Sequence, residues 1–196
     1  MVEQQKAMDG FKLMGAGAAF KQTICDMIAG ARLFSDLPWA DIEALSGYVQ
    51  CYEVASGTVI FKEGAPGSYM CVLISGEIEI LKEDQVGRLR SLVRISRGKT
   101  VGEMSIVDGE PRSATCVATQ DSVVLLLTKD NYGRIIKERP TLAIHIQSKL
   151  AKLMSQRLRC LSGQLVEYLG QDTNACEPPD ADAGLETGAP EGDPAT

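Results

Sequence analysis

The chain of 196 residues has one histidine, His145. Metal-dependent enzymes and metal-binding barrels build their sites from several His, Cys, Asp or Glu donors. A lone His leaves such a site short of ligands, and it leaves no visible nucleophile–base pair for covalent catalysis. No metal and no enzymatic activity are therefore expected. The six cysteines, Cys25, Cys51, Cys71, Cys116, Cys160 and Cys176, contain no CxxC pair. Iron–sulfur clusters use tightly spaced Cys groups, so a cluster is not expected either. Thiols spread in this way read as reduced, mostly buried and cytoplasmic. No apolar run approaches the roughly 18 residues of a membrane span. The opening Met1-Val2-Glu3-Gln4-Gln5-Lys6 lacks a basic region leading into an apolar core, so no signal peptide is expected.

A basic face is also missing. Residues 171–196 hold seven acids (Asp172, Glu177, Asp180, Asp182, Glu186, Glu191 and Asp193) and no Lys or Arg. Removing those seven charges from the formal net charge of −6 leaves the rest of the chain near +1. The acidity belongs to the C-terminal stretch, and nothing suits a nucleic-acid backbone.

What is present falls into three regions. Residues 1–17 are polar and then small, and are expected to be flexible. Residues 18–170 carry the periodic patterns. Residues 171–196 are Pro, Gly, Ala and acid without periodicity, and read as a disordered tail. In the middle region Phe20, Ile24, Met27 and Ile28 share one helical face. A second helix follows Pro38, with Ser35 or Asp36 near its cap and Ile42, Leu45 and Tyr48 on its inner stripe. Short β-rich runs come next, separated by Gly turns: 58–61, 69–74, 77–81, 89–95, 114–118 and 122–127. Strands at this spacing indicate a mainly β barrel or jelly roll with flanking helices. Thr128-Lys129-Asp130 caps a short helix, which Glu138-Arg139-Pro140 ends. A long helix then runs from Thr141 to about Gly170. Met154, Leu158, Leu161, Leu165 and Tyr168 are spaced 4, 3, 4 and 3 along it, as a heptad seam.

One stretch concentrates the chemistry: Gly102-Glu103-Met104-Ser105-Ile106-Val107-Asp108-Gly109-Glu110-Pro111-Arg112-Ser113-Ala114-Thr115. A guanidinium meets a phosphate with two parallel hydrogen bonds. A carboxylate accepts from a sugar hydroxyl. A Gly-started turn lets backbone N–H groups approach an anion. The order Gly-Glu, short helical turn, Pro-Arg-Ser-Ala-Thr resembles the phosphate-binding cassette of cyclic-nucleotide-binding domains. The resemblance extends over about residues 30–165. It includes Leu33-Phe34-Ser35-Asp36-Leu37, Gly64-Ala65-Pro66-Gly67 and Leu73-Ile74-Ser75-Gly76-Glu77-Ile78.

That resemblance implies a double-stranded β-helix (jelly-roll) barrel with N-terminal helices and a long C-terminal helix. It implies a receptor rather than an enzyme, with a cyclic nucleotide as regulatory ligand and no cofactor. Arg112 is expected on the exocyclic phosphate oxygens and Glu103 on the ribose 2′-OH. Gly102, Met104 and Ser105 would contribute backbone groups; Ser105 stands where the family more often has Ala or Gly. Ser113 would offer its hydroxyl and N–H to the phosphate, and Ala114 is small so that the ligand fits against its strand. Ser113 resembles the bacterial cAMP receptor, while cGMP-selective members often have Thr there. cAMP is therefore the expected ligand, with cGMP or cyclic di-GMP as alternatives. Ile78, Leu92 and Ile95 are candidates for the base pocket, and Arg157 and Leu158 for lid contacts. Read without the resemblance, Arg112 is a solvated turn residue, Glu103 complements a helix dipole, and the apolar trio is ordinary core. A barrel that has lost its ligand and serves as a scaffold is the remaining alternative. Residues 154–168 are expected to form a homodimer seam or to pack on the chain's own barrel. No helix-turn-helix pattern follows the long helix, so signalling through an unidentified effector protein is expected rather than direct DNA binding.

Overall fold

The computed structural model of the protein describes residues 10–15 and 18–173. Nine strands among them form two antiparallel sheets. One has the order β1 (Phe11–Gly15), β2 (Val49–Val54), β9 (Ser122–Thr128), β4 (Tyr69–Ser75), β7 (Thr100–Val101). The other has the order β3 (Val59–Phe61), β8 (Thr115–Ala118), β5 (Ile78–Glu83), β6 (Leu89–Ile95). This is the jelly-roll arrangement expected from the spacing of turns and β-rich runs. The helices are α1 (Lys21–Gly30), α2 (Trp39–Leu45), α3 (Met104–Val107), α4 (Lys129–Glu138) and α5 (Pro140–Thr173).

β4 and β9 run apolar on both faces, and the packing explains why. Successive side chains of a strand point to opposite sides. Cys71, Leu73, Val124 and Leu126 join a cluster with Ile60, Ile78, Ile95, Cys116 and Ala118, contributed by the second sheet. Met70, Val72, Leu125 and Leu127 join a different cluster with Ile24, Ile28, Ile42, Leu45, Ile135, Leu142, Ile146 and Leu150 from the helices. A strand pair with a core on each side has no polar face to display, so its sequence loses the alternation of a half-exposed strand.

Thr128 caps α4: its hydroxyl accepts from the Asn131 N–H at 3.1 Å. Pro140 opens α5, where the absence of an N–H does no harm. α5 extends through Gly170 to Thr173, beyond the stop expected at Gly170. Glycine lowers helix propensity but ends a helix only where it takes a left-handed cap. The cap of α2 is Pro38 rather than Ser35 or Asp36, with no side-chain cap bond.

The chain divides into two compact units, Met1–Met154 and Ser155–Thr196. The first contains both sheets and both core clusters. In the second, Leu158, Leu161 and Leu165 expose 66%, 62% and 58% of their surface, and Ser162 Oγ donates back to the Leu158 carbonyl within the helix. The region expected to be a flexible N-terminus includes β1, which pairs with β2 from Phe11↔Val54 onward. Phe11 sets its ring edge-on to Tyr52 at 5.8 Å and to Tyr69 at 6.3 Å, a tertiary anchor that composition does not reveal. Most of the expected acidic tail, residues 174–196, lies outside the described residues.

Candidate functional site

The cassette begins at the end of β7. Gly102 takes a left-handed backbone, φ +78°, and a Cβ built there would lie 2.5 Å from Arg112 Nη1. Only glycine fits both the torsion and the space. Glu103 follows as the N-cap position of α3, and its carbonyl accepts from the N–H groups of Ile106 and Val107. Ser105 is buried in this turn. The loop between β3 and β4 presses on it so closely that a Cβ on Gly67 would lie 2.0 Å from Ser105 Cβ.

The same loop fixes the far end of the cassette. The Gly64 N–H donates to the Arg112 carbonyl at 2.9 Å, and the Arg112 N–H donates to the Ala65 carbonyl at 2.9 Å. Lys82 Nζ donates to the Ser113 carbonyl at 2.8 Å and pairs with Glu63 Oε1 at 2.5 Å. The Glu63 N–H donates to Thr115 Oγ1 at 3.0 Å. Turn, loop and strand are thus sewn together by backbone and side-chain bonds that any ligand would find already made.

Arg112 is not a solvated turn residue. It is 3% exposed. Its Nη1 donates to the Gly102 carbonyl at 3.0 Å and its Nη2 to the Tyr69 carbonyl at 2.6 Å. The guanidinium carbon stands 4.1 Å from the centre of the Phe61 ring and 4.9 Å from that of Tyr69. Nε is buried without a hydrogen-bond partner. Burial pulls the guanidinium below its ordinary pKa, though an arginine stays charged at neutral pH. Glu103, 2% exposed, contributes a charge that opposes this shift. A buried guanidinium with an unused N–H is chemically suited to receive an anion.

The other expected residues are distributed unevenly. Ala114 is buried beside the cassette, while Ser113 and Met104 are exposed, Ser113 Oγ lying 3.6 Å from Met104 Sδ. Ile78 and Ile95 are buried cross-strand partners in the barrel core, which is the ordinary-core reading of them. Leu92 is placed differently from Ile78 and Ile95. Ile80 pairs with Val93 and the next residue, Leu81, pairs with Ser91, so Leu92 is the extra residue of a bulge and stands 60% exposed. Arg157 and Leu158 belong to the second unit, Leu158 being exposed. His145 Nδ1 lies 2.5 Å from Asp41 Oδ2, an arrangement that joins α5 to α2. Among the described residues no group of three or more His, Cys, Asp or Glu is placed to hold a metal ion, and no helix is long and apolar enough to cross a membrane.

Sequence reading missed Phe61 and Tyr69 altogether. Both lie in strands, far along the chain from Arg112, and no local spacing links them to it. A cavity of about 240 Å³ bounded by Thr23, Asp26, Met27, Ile74 and Arg97 shares no residue with the cassette.

Residues 52–139 match the family profile of the cyclic nucleotide-binding domain, and the chain carries a domain of that family. It is 31% identical over 130 residues to the cyclic AMP receptor protein of Thermus thermophilus, covering 66% of this chain and 58% of that protein. It is 33% identical over 104 residues to the cAMP-dependent protein kinase regulatory subunit of Aspergillus fumigatus, covering 53% of this chain and 24% of that protein. Among solved structures, a cyclic nucleotide-binding domain from Methylobacillus flagellatus superposes with a TM-score of 0.72 at 25% identity, over 82% of this chain and 90% of the other. The chain thus spans less than two thirds of the length of either relative.

Proposed function

We propose that the protein is a non-catalytic receptor for a cyclic nucleotide, with cAMP as its ligand. The observation that carries this is Arg112: a buried guanidinium, two donors fixed on carbonyls and Nε unpartnered, within the cassette that begins Gly102-Glu103. Leaving a buried donor unmade costs on the order of 1–3 kcal/mol. A phosphate oxygen that meets Nε removes that penalty and adds a charge-assisted bond. In this reading Glu103 accepts from the ribose 2′-OH, Ser113 donates to the phosphate, Gly102, Met104 and Ser105 offer backbone groups, and Ala114 leaves room for the ring. Ser113 in place of Thr favours adenine over guanine.

The receptor signals to a partner protein by shifting its terminal helices. A ligand moves such an equilibrium only through different affinities for the two states, and contacts from Arg157 or Leu158 to the base would supply the difference. A homodimer through residues 154–168 is part of the proposal, supported by the exposed Leu158, Leu161 and Leu165 at heptad spacing. Isothermal titration of the full chain with cAMP and with cGMP tests the ligand. cAMP binding the more tightly supports the reading. Tighter cGMP binding overturns the choice of base, and silence with both overturns the receptor.

A further inference from the structure

We infer that Phe61 and Tyr69 form an aromatic clamp that positions the anion-binding guanidinium of Arg112, so that these two strand residues set the affinity for the cyclic phosphate. The inference rests on the proposed role of Arg112 and goes beyond it by assigning residues outside the cassette.

Four observations converge on it. First, the guanidinium carbon of Arg112 lies within 4.1 Å of the Phe61 ring centre and 4.9 Å of the Tyr69 ring centre. Both lie within the roughly 6 Å over which an aromatic face attracts a cation. Second, the rings are themselves fixed. They meet edge to face at 6.4 Å and 69°, and the Tyr69 hydroxyl donates to the Ile60 carbonyl at 2.5 Å. Burial raises the Tyr69 phenol above its usual pKa, so it remains a neutral donor. Third, Tyr69 holds the cation twice, because its own carbonyl accepts from Arg112 Nη2 at 2.6 Å. Fourth, a Cβ at Gly102 would meet Arg112 Nη1 at 2.5 Å, Phe61 Cε1 at 3.1 Å and the Tyr69 carbonyl at 3.1 Å. The glycine that opens the cassette is therefore shaped around the clamp.

The physical role follows. A long, flexible arginine side chain loses rotamer entropy on being fixed. The rings and two carbonyls hold it before any ligand arrives, so the ordering is not charged to binding. A ring face stabilises a cation without using an N–H, so the clamp leaves Nε free to donate. An acidic side chain in the same place would neutralise Arg112 and compete with the phosphate.

The test is cAMP titration of the full chain, wild type against Phe61→Leu and Phe61→Tyr. Leucine keeps apolar bulk but has no ring face; tyrosine restores the face. The expected result is a loss of about 5- to 30-fold in affinity for Phe61→Leu, the range of a partly desolvated cation–π contact, with Phe61→Tyr within about twofold of wild type. The Arg112 Nε–H resonance, followed by proton–nitrogen NMR without ligand, should exchange faster with water in Phe61→Leu than in wild type or Phe61→Tyr. If Phe61→Leu fails to fold by circular dichroism, Phe61→Met takes its place. A wild type that binds while the leucine and tyrosine variants both match it overturns the clamp alone. Equal losses in both variants also overturn it, since bulk rather than the ring face would then be responsible. A wild type that binds no cyclic nucleotide overturns the receptor reading and the clamp's role with it.

Discussion

Arg112 Nη1 donates to the Gly102 carbonyl at 3.0 Å, across ten residues of sequence. The two ends of the cassette are therefore one object: the glycine supplies an acceptor and a gap, and the arginine fills both. Gly102→Ala should fail twice over. It puts a side chain on a backbone with φ +78°, which costs about 1–3 kcal/mol, and it pushes Arg112 from its place. Urea unfolding should show a loss of at least that size, and calorimetry a loss of ligand affinity. An alanine variant as stable as wild type would mean that the left-handed glycine is not required.

Arg112→Lys keeps the charge and loses the planar fork. Two charge-assisted hydrogen bonds at about 1.5–3 kcal/mol each separate a guanidinium from a single ammonium less than fully. We expect cAMP affinity to fall by about 100-fold in titration calorimetry, while circular dichroism stays native. Affinity within threefold of wild type would remove Arg112 from the phosphate.

The acid limb of stability should report Glu63. A hydrogen bond from Lys82, with a second from the Glu83 N–H, holds its carboxyl below the usual 4.5. A carboxyl with a lower pKa folded than unfolded stabilises the fold above its unfolded value, and that contribution disappears as pH falls through the folded value. The melting temperature should be level from about pH 7 to 5 and decline below about 4.5. Glu63→Gln should flatten part of that decline. An identical acid limb in Glu63→Gln would show that the contact contributes nothing, as exposed ion pairs often do.

Thr128→Ala removes the hydroxyl that accepts from the Asn131 N–H. Loss of an N-cap costs about 1 kcal/mol, which chemical denaturation should resolve. Asn131 also donates to the Tyr48 carbonyl at 2.8 Å, so α4 remains attached and cAMP affinity should change little.

Leu161→Glu and Leu165→Glu place charges on the exposed heptad positions of α5. If the seam joins two copies, each variant should be monomeric by light scattering at concentrations where wild type is dimeric. A wild-type monomer, with and without cAMP, rejects the homodimer.

Much of this molecule was legible in the chain. The turns and the β-rich runs between 58 and 127 marked out the jelly roll. The spacing of Phe20, Ile24, Met27 and Ile28 marked α1, Thr128 marked the start of α4, and Pro140 marked its junction with α5. Local chemistry decides such features: periodicity, caps and prolines act within a few residues. Strand β1 was hidden, because a five-residue segment is a strand only when another strand accepts it, and Phe11 needs Tyr52 and Tyr69 to pack against. The exposure of Leu92 was hidden for a related reason. A bulge changes which side a residue faces, and the bulge belongs to the pairing of β5 with β6, not to either strand alone.

The cassette divides along the same line. Its residue order, Gly102-Glu103 and then Pro111-Arg112-Ser113-Ala114, nominated an anion site through its resemblance to a known cassette, since those side chains carry the right charges and donors wherever they stand. Sequence could not say whether Arg112 is in water or in the barrel wall. Only the fold carries Phe61 and Tyr69 against it and buries its Nε, because burial is a sum over residues distant in the chain, while charge is a property of one.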